Sequence, residues 1–380
     1  MDNWRPGVLN KEQIIELCKM NKINNADISL IEDPSSIDLH ITEPVYELRG
    51  CVKPKKDQNI NVLCKNFNRR IVQFDPADES ILLERSKTYV FPIREDLDFD
   101  KTSFCGQATG KSTFGRLDIL TRLLTNDSNY YDYVKTGYQG PLWIEVTPIT
   151  FSIKIKNGMS LNQLRVYKGK PEACCIPKAD LELWGDLILD EDGKKRDDNK
   201  KIDSLTLNLN EDKSFGDGTC AFAVNKTIKN SKNGFLDLTI DLEKINIEAD
   251  LYWEKLKPTI KSPLALEIEP ERFYILRSRE RFKLPESVAI YCQAVTENLG
   301  ELRIHYAGFA HPCFGTDRAD DKGAPLIFEV RGHNIRALLQ HGETLAKLKY
   351  YFMSKDAVTN TCKSSYHKQE LTLSKYFKFS

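Results

Sequence analysis

The stretch CGQATGKSTFG, residues 105–115, brings a lysine, three hydroxyl side chains and three glycines close together. A phosphate-binding P-loop needs four residues between its first glycine and the Gly-Lys-Ser/Thr that follows, so that successive backbone N–H groups surround the phosphates. Only three residues separate Gly106 from Gly110, and Cys105 stands where a glycine would restore the spacing. The stretch therefore does not predict a P-loop.

Two other interpretations fit the same cluster. Ser112 and Thr113 could cap a helix that continues into RLDILTRLL, residues 116–124, while Lys111 and Arg116 are ordinary surface charges. Alternatively, a helix N-terminus surrounded by Ser, Thr, Lys and Arg is a good site for an anion.

A carboxylate interrupts the apolar run PLWIEV, residues 141–146. Glu145 either points outward from an alternating strand or is buried and chemically active. Burial would raise its pKa and suit it to proton transfer near neutral pH. Glu329 holds the matching place in APLIFEV, residues 324–330, so a carboxylate here could also belong to the fold.

A zinc-dependent deaminase would need His-x-Glu followed by Pro-Cys-x-x-Cys. His341 and Glu343 supply the first element, but Pro312-Cys313 precedes them and no cysteine follows at the required spacing. We therefore predict no zinc site of this kind and interpret His341-Gly342 as a turn before a strand.

The composition is that of an ordinary globular protein of 380 residues, 41% hydrophobic and 29% charged, with a formal net charge of +0. Such a balance argues against nucleic acid bound through a global field. No run approaches the roughly 18 apolar residues that span a bilayer, and the N-terminus has no apolar signal core. We predict a cytoplasmic protein without nucleic-acid or membrane partners, whose ten cysteines are buried small side chains rather than a disulfide framework.

Short β-rich segments dominate the chain after one N-terminal helix. NKEQIIELCKM, residues 10–20, has Asn10 as a cap candidate and apolar residues at helical spacing. Segments such as SSIDLHI, TYVFPI and PLWIEVTPITFSIKI are separated by Gly, Asn, Asp and Pro, which is typical of a β-sandwich or barrel.

The two halves of the chain repeat each other. GQA at 106–108 matches CQA at 292–294, and GPLWIEV at 140–146 matches APLIFEV at 324–330, at offsets of 184 to 186 residues. A duplicated β-lobe follows. We predict a catalytic lobe at 1–188, a degenerate second lobe at 200–354 and a C-terminal tail at 355–380 that could act as a lid.

The halves differ at the positions where chemistry would be expected. Half one has GKSTFGRLD at 110–118, whereas half two has TENLGELRI at 296–304, without Lys, Ser or Arg at the positions that match Lys111, Ser112 and Arg116. Half two instead has HYAGFAHPCFG at 305–315, a hairpin punctuated by Gly and Pro. This asymmetry favours a functional role for the charged cluster of half one.

Four segments occur in the order found in dCTP deaminases: PSSIDLHI (34–41), GKSTFGR (110–116), GYQGPLWIEV (137–146) and NGMSLNQL (157–164). The chain resembles the long, two-lobed form of that family. The resemblance implies a mainly β fold of two tandem dUTPase-like distorted β-barrel lobes with few short helices. It also implies hydrolytic deamination of dCTP to dUTP and ammonia, in pyrimidine deoxynucleotide biosynthesis and without a catalytic metal.

The resemblance also implies a composite site. Glu145 would activate water, and Ser112 and Arg116 would position that water and stabilise charge. The hairpin of half two would grip the base, and Lys111 would contact phosphate. The implied substrate-binding residues are Lys111, Thr113, Trp143, Ile144, Ala307, Gly308, Phe309, His311 and Phe314.

The chain departs from the family's pattern in carrying His311 where the hairpin usually has aspartate, and Lys111 for arginine. Mg²⁺ would arrive with the triphosphate, dTTP is a candidate inhibitor, and a homo-oligomer, trimer or dimer, is expected. Two alternatives stay open: a dUTP pyrophosphatase or bifunctional deaminase–pyrophosphatase, and a non-catalytic nucleotide-binding regulatory protein.

Overall fold

The computed structural model describes residues 3–181, 187–196, 202–226, 239–294, 302–305, 308–316, 318–358 and 369–379. Within these ranges the chain is mainly β with few, short helices, which confirms the predicted fold class. The helices are α1 (Lys11–Lys19), α2 (Ile60–Phe67), α3 (Ser112–Gly115) and α4 (Lys178–Leu181).

The strands of the first half are β1 (Gly7–Val8), β2 (Ile23–Asn24), β3 (Ile37–His40), β4 (Val45–Leu48), β5 (Asn68–Val72), β6 (Ser80–Leu83), β7 (Thr88–Asp98), β8 (Phe104–Gly110), β9 (Ile119–Thr125), β10 (Tyr133–Val134), β11 (Gln139–Pro148), β12 (Ile153–Lys156) and β13 (Ser160–Lys168).

The strands of the second half are β14 (Ile188–Leu189), β15 (Ser204–Asn208), β16 (Ala221–Val224), β17 (Ile240–Asp241), β18 (Ile247–Glu248), β19 (Trp253–Leu256), β20 (Ile260–Lys261), β21 (Leu264–Ile268), β22 (Phe273–Phe282), β23 (Val288–Ala294), β24 (Leu302–His305), β25 (Gly308–Ala310), β26 (Ala324–Gly332), β27 (Ala337–Gln340), β28 (Thr344–Phe352) and β29 (Phe377–Lys378).

The first lobe is built from sheets in the orders β5–β4–β7–β11–β9 and β1–β13–β8–β10, with β2 on β7 and β3 on β13. Successive side chains of a strand point to opposite faces, and β7 shows this alternation, with buried side chains at every second position from Phe91 to Leu97. β13 instead is buried at every position between its ends. Both of its faces are therefore covered, which places this strand at the seam with the second lobe.

The second lobe centres on a sheet in the order β19–β16–β22–β15–β28–β23–β25, to which β26 adds on β22 and β24 adds on β26. β17 pairs in parallel with β12 of the first lobe, so the two lobes share backbone hydrogen bonds. β18 pairs in parallel with β29 at the end of the chain.

Two hydrophobic cores and a smaller seam cluster lie under these sheets. The first-lobe core includes side chains from the second half, among them Phe222, Val224 and Phe273. The second-lobe core includes Leu181 and Ile188 from the end of the first half. The seam cluster combines residues such as Tyr167 with Tyr351 and Phe309. Because the cores exchange segments, the lobes form one packed body.

The N-terminal helix begins as predicted. The Asn10 side chain accepts a hydrogen bond from the Gln13 backbone N–H at 3.0 Å, and the Gln13 side chain accepts one from the Asn10 N–H at 3.1 Å. This is a capping box. Ile14 and Leu17 are buried against the first-lobe core.

The predicted helix through RLDILTRLL is wrong. α3 ends after four residues, and Ile119–Thr125 forms β9, which pairs with β11. Asp118 lies in the left-handed region at φ 57°, which ends the helical turn. Lys111, not Ser112, takes the N-cap position, and it makes no side-chain capping bond.

The predicted lid is only partly described, because residues 359–368 lie outside the described ranges. Residues 369–379 pack against the first lobe, with Leu371, Leu373 and Tyr376 buried in its core. No helix in the described part of the chain is long and apolar enough to cross a membrane.

Candidate active site

The α3 turn connects β8 to β9 and presents its residues to the second lobe. Its backbone is closed by bonds from the Gly115 N–H to the Lys111 carbonyl at 3.1 Å and from the Arg116 N–H to the Ser112 carbonyl at 3.1 Å. Ser112 is exposed, whereas Thr113 and Arg116 are buried. The predicted cluster therefore contains both accessible and enclosed polar groups.

The strand β26 of the second lobe lies against this turn. Its residues alternate: Phe328 and Val330 pack in the second-lobe core, while Ile327 packs against the first-lobe core. Glu329 and Arg331 share the face of Ile327 because side chains two positions apart lie on the same side of a strand. This face of β26 is therefore covered by the first lobe.

The Glu329 carboxylate lies directly over Gly115. A Cβ added to Gly115 would be 2.4 Å from Glu329 Oε2, so a side chain at this position would displace the carboxylate. Glu329 is 7% exposed. The absence of a side chain at Gly115 therefore allows the carboxylate to approach the backbone of α3.

Burial raises the pKa of Glu329 to about 8. The nearby Arg116 guanidinium opposes this rise, and the like charge of Asp118 adds to it. A carboxyl group with such a pKa can hold or release a proton near neutral pH, which is the property a general base or acid needs.

The C-terminal segment fixes Arg116 in this site. Its Nη1 donates to the Thr372 carbonyl at 3.2 Å, and its Nη2 donates to Gln369 Oε1 at 2.5 Å. The Ser374 hydroxyl donates to the Thr113 carbonyl at 2.8 Å. The described end of the predicted lid thus packs against the α3 turn and is joined to it by these hydrogen bonds.

Lys111 and His311 both bind to the PSSID segment of the first lobe, residues 34–38. Lys111 Nζ forms an ion pair with Asp38 of the PSSID segment, and burial raises the pKa of Asp38. His311 Nδ1 lies 2.8 Å from the Ser35 hydroxyl. The hairpin of the second lobe is therefore tied to the first lobe at the position where the resemblance predicted a composite site.

His311 is half-buried as a residue. Burial of the imidazole, with the positive charges of Arg165 and Lys111, lowers its pKa to about 4, and Asp33 opposes this shift. His311 is accordingly neutral at physiological pH, where the aspartate of the family's pattern would be negatively charged.

The rest of the hairpin divides between the seam and the second-lobe core. Phe309 packs in the seam cluster, Phe314 packs in the second-lobe core, and Gly308 has no atom within 4 Å of an added Cβ. Ala307 lies outside the described residues. Cys313 is disulfide-bonded, whereas the other cysteines in the described ranges are free.

Glu145 lies in a different environment. It is 2% exposed, and its carboxylate accepts a hydrogen bond from the Val52 N–H at 2.8 Å. Burial raises its pKa, and the nearby charge of Arg122 opposes this. Glu145 is thus buried, as the interpretation of a chemically active carboxylate required. The segment that covers it belongs to its own lobe.

Trp143 and Ile144 follow the same strand geometry. Trp143, two positions from Glu145, packs with Tyr46 and Ile60 of the segment that covers this face. Ile144 points the other way and is fully buried in the first-lobe core. These contacts do not place Trp143 or Ile144 beside the hairpin.

The structure thus places Glu329 against Gly115 and near Arg116 of the α3 turn, whereas the described hydrogen bond of Glu145 lies within its own lobe. Lys111 and His311 are each bound to the PSSID segment. The sequence contained a signal for this arrangement, since Glu329 and the hairpin belong to the same half. Gln369 and Asp118 had no sequence signal, because their positions depend on lobe packing. Among the described residues, no group of three or more His, Cys, Asp or Glu side chains could hold a metal ion.

These observations define a class: a two-lobed, mainly β protein with one acidic and cationic site shared between its lobes. A family model for the N-terminal domain of 2'-deoxycytidine 5'-triphosphate deaminase matches residues 5–170. The model for the C-terminal domain of the same enzyme matches residues 221–377. The chain belongs to the 2'-deoxycytidine 5'-triphosphate deaminase family.

One solved structure agrees with this assignment. The 2'-deoxycytidine 5'-triphosphate deaminase of Agrobacterium tumefaciens is 26% identical, with a TM-score of 0.80 over 92% of this chain and 99% of its own. A mutant dUTPase of phage phi11 of S. aureus is 14% identical over 32% of this chain and 87% of its own, with a TM-score of only 0.19. No curated protein matches the sequence.

Proposed function

We propose that the chain deaminates dCTP to dUTP and ammonia at the site between its lobes. The observation that supports this most directly is the Glu329 carboxylate, enclosed over Gly115 and beside Arg116, with a pKa raised to about 8. Membership of the deaminase family supplies the substrate.

In this proposal Glu329 takes a proton from a water molecule, whose oxygen then attacks C4 of the cytosine ring. The tetrahedral intermediate breaks its bond to the amino group, and the same carboxyl group returns the proton to that nitrogen, which leaves as ammonia. Arg116 favours the ionised form of Glu329, and Ser112, the first residue of the same turn, would orient the water. General acid–base help of this kind is worth roughly 10²–10⁴-fold.

The substrate would lie between the α3 turn and the hairpin. Gly308, Phe309 and His311 would contact the nucleoside, and Lys111 would contact phosphate, with Mg²⁺ bound to the triphosphate rather than used in the chemistry. Trp143 and Ile144 are left out because their contacts lie elsewhere. A homo-oligomer, inhibition by dTTP and a cytoplasmic location stay predictions.

The decisive experiment compares Glu329→Gln with Glu145→Gln, since the two glutamates occupy matching strands. We expect Glu329→Gln to lower kcat for ammonia release from dCTP by roughly 10²–10⁴-fold and Glu145→Gln to change it little. Ammonia and pyrophosphate are followed together, with dCTP and dUTP as substrates.

Other outcomes separate the alternatives. If Glu145→Gln abolishes turnover and Glu329→Gln does not, the catalytic assignment is wrong. Pyrophosphate release without ammonia identifies a dUTP pyrophosphatase, and dCTP binding without either product identifies a regulatory protein.

A further inference from the structure

A fully buried arginine joins the two lobes at the base of the hairpin. Arg165 lies on β13 of the first lobe and is 0% exposed. Its Nη1 donates to the Ile290 carbonyl at 2.9 Å, and its Nη2 donates to the Ala310 carbonyl at 3.3 Å. Ile290 and Ala310 are themselves paired in register between β23 and β25. One guanidinium therefore binds both strands at the same point.

The same guanidinium lies over the ring of Phe309, 3.9 Å from its centroid. A cation in this position is attracted by the face of the ring. Phe309 also packs against Tyr291, with ring centroids 5.7 Å apart. Arg165 thus contacts the hairpin strand β25 through both its backbone and its aromatic side chain.

Such burial is costly for a charged group. Among the described residues Arg165 forms no ion pair, and its Nε has no hydrogen-bond partner. Burial lowers its pKa, which is the usual result when a cation is transferred into a poorly solvated site. An apolar side chain would fill the seam at lower cost, so the contacts of Arg165 with the hairpin require an explanation beyond packing.

We propose that Arg165 is a positioning residue that holds β25, and with it Phe309 and His311, in the place where the hairpin receives the nucleotide. The proposal rests on the proposed function for the identity of that nucleotide. Arg165 acts through the hairpin, because its described contacts with β25 are made to the Ala310 carbonyl and the Phe309 ring.

A second consequence concerns the charge of His311. Among the described residues, the groups that act on this imidazole are the Ser35 hydroxyl, the Asp33 carboxylate and the cations Lys111 and Arg165. Removing the Arg165 charge removes one of the two cations that disfavour protonation. The pKa of His311 should then rise from about 4.

The test uses Arg165→Met, Arg165→Lys and the control Arg272→Met. Arg272 is a second buried arginine, 6% exposed, that donates to a backbone carbonyl, Val224, at 2.8 Å and lies near an aromatic ring, but it has no contact with the hairpin among those described. The readouts are KM and kcat for dCTP, and the pH titration of the His311 ring by NMR in nucleotide-free protein. A His311→Asn spectrum assigns the resonance.

We expect Arg165→Met to raise KM for dCTP by about 10-fold or more, with a smaller change in kcat, and to raise the pKa of His311. Arg165→Lys keeps the charge but loses the two-carbonyl fork, so it should raise KM while leaving the His311 titration near that of the wild type. Arg272→Met should change neither readout.

Unchanged KM and unchanged His311 titration in Arg165→Met would overturn the proposal, as would equal effects of Arg272→Met. If Arg165→Met does not fold, the KM of Arg165→Lys for dCTP tests the proposal instead, and an unchanged KM would overturn it. If the wild-type protein does not deaminate dCTP, the nucleotide-free titration still tests the role of Arg165 separately from the proposed function.

Discussion

At the scale of single residues, the environment of Glu329 determines what its carboxyl group can do. The side chain lies between a backbone without a Cβ, a cation and a second carboxylate, so its proton is held more tightly than in water. Glu145 is equally enclosed, yet a backbone N–H of its own lobe satisfies it. Two glutamates at matching positions thus have different chemistry because different neighbours cover them.

This environment predicts a pH dependence of stability. The pKa of Glu329 is raised from 4.5 to about 8 in the folded chain, so between these values the folded state binds more protons than the unfolded state. Its contribution to stability is therefore full below pH 4.5 and is lost as the pH rises towards 8. Glu329→Gln removes the titration. Urea unfolding should show that the free energy of unfolding of the variant rises relative to that of the wild type by on the order of a few kcal/mol between pH 5 and pH 8. A difference that stays constant with pH would contradict this prediction.

At the scale of elements, the short α3 turn and the strand β26 form the site by close approach. A Cβ at Gly115 would lie 2.4 Å from Glu329 Oε2, and the carboxylate must then move. Because the end of a glutamate side chain can rotate, the cost in stability should be small. The cost in activity should be larger, since a displacement of about 1 Å at a catalytic group can lower a rate by 10²-fold.

We therefore expect Gly115→Ala to lower kcat/KM for dCTP by roughly 10- to 100-fold. Gly50→Ala is the matched control, because an added Cβ there meets no atom within 4 Å and the backbone does not need a positive φ. Steady-state kinetics on the two variants make the comparison. Equal activity of both would show that the approach of β26 to α3 is not needed for turnover.

At the scale of the whole molecule, charged contacts across the seam join the lobes. Arg331 of β26 forms an ion pair with the fully buried Asp118, and the Thr150 hydroxyl donates to the same carboxylate at 2.6 Å. Arg331 Nη1 also donates to the Glu271 carbonyl at 2.7 Å. This pair lies next to Glu329 along the strand, so it sets the distance between the lobes at the site.

Removing one partner of a buried pair costs about 3–5 kcal/mol, because the remaining charge loses its compensation. We expect Arg331→Met to destabilise the chain by about this amount and the double variant Asp118→Asn with Arg331→Met to recover much of the loss. Asn is chosen because it tolerates the positive φ of residue 118. Urea denaturation of the single and double variants measures the coupling, and additive effects would argue against it.

Particular residues show how far the sequence could be interpreted. The capping box at Asn10, the turn at Gly342 and the alternation along β7 depend on neighbours in the chain, and they were predictable. The interpretation of the residues after Ser112 as a helix was wrong, because Ile119–Thr125 pairs with β11 as a strand. This pairing is a tertiary effect, and local capping residues do not predict it.

The sequence by itself determined the strand pattern, the duplication and the residues able to hold charge and protons, because all of these follow from local periodicity and side-chain chemistry. Only the tertiary structure decided which glutamate faces the cationic turn. That choice depends on which lobe covers each strand, since the outer face of β26 is covered by the other lobe and that of β11 by its own segment. Burial and neighbouring charge, which set a pKa, exist only once those faces are in contact.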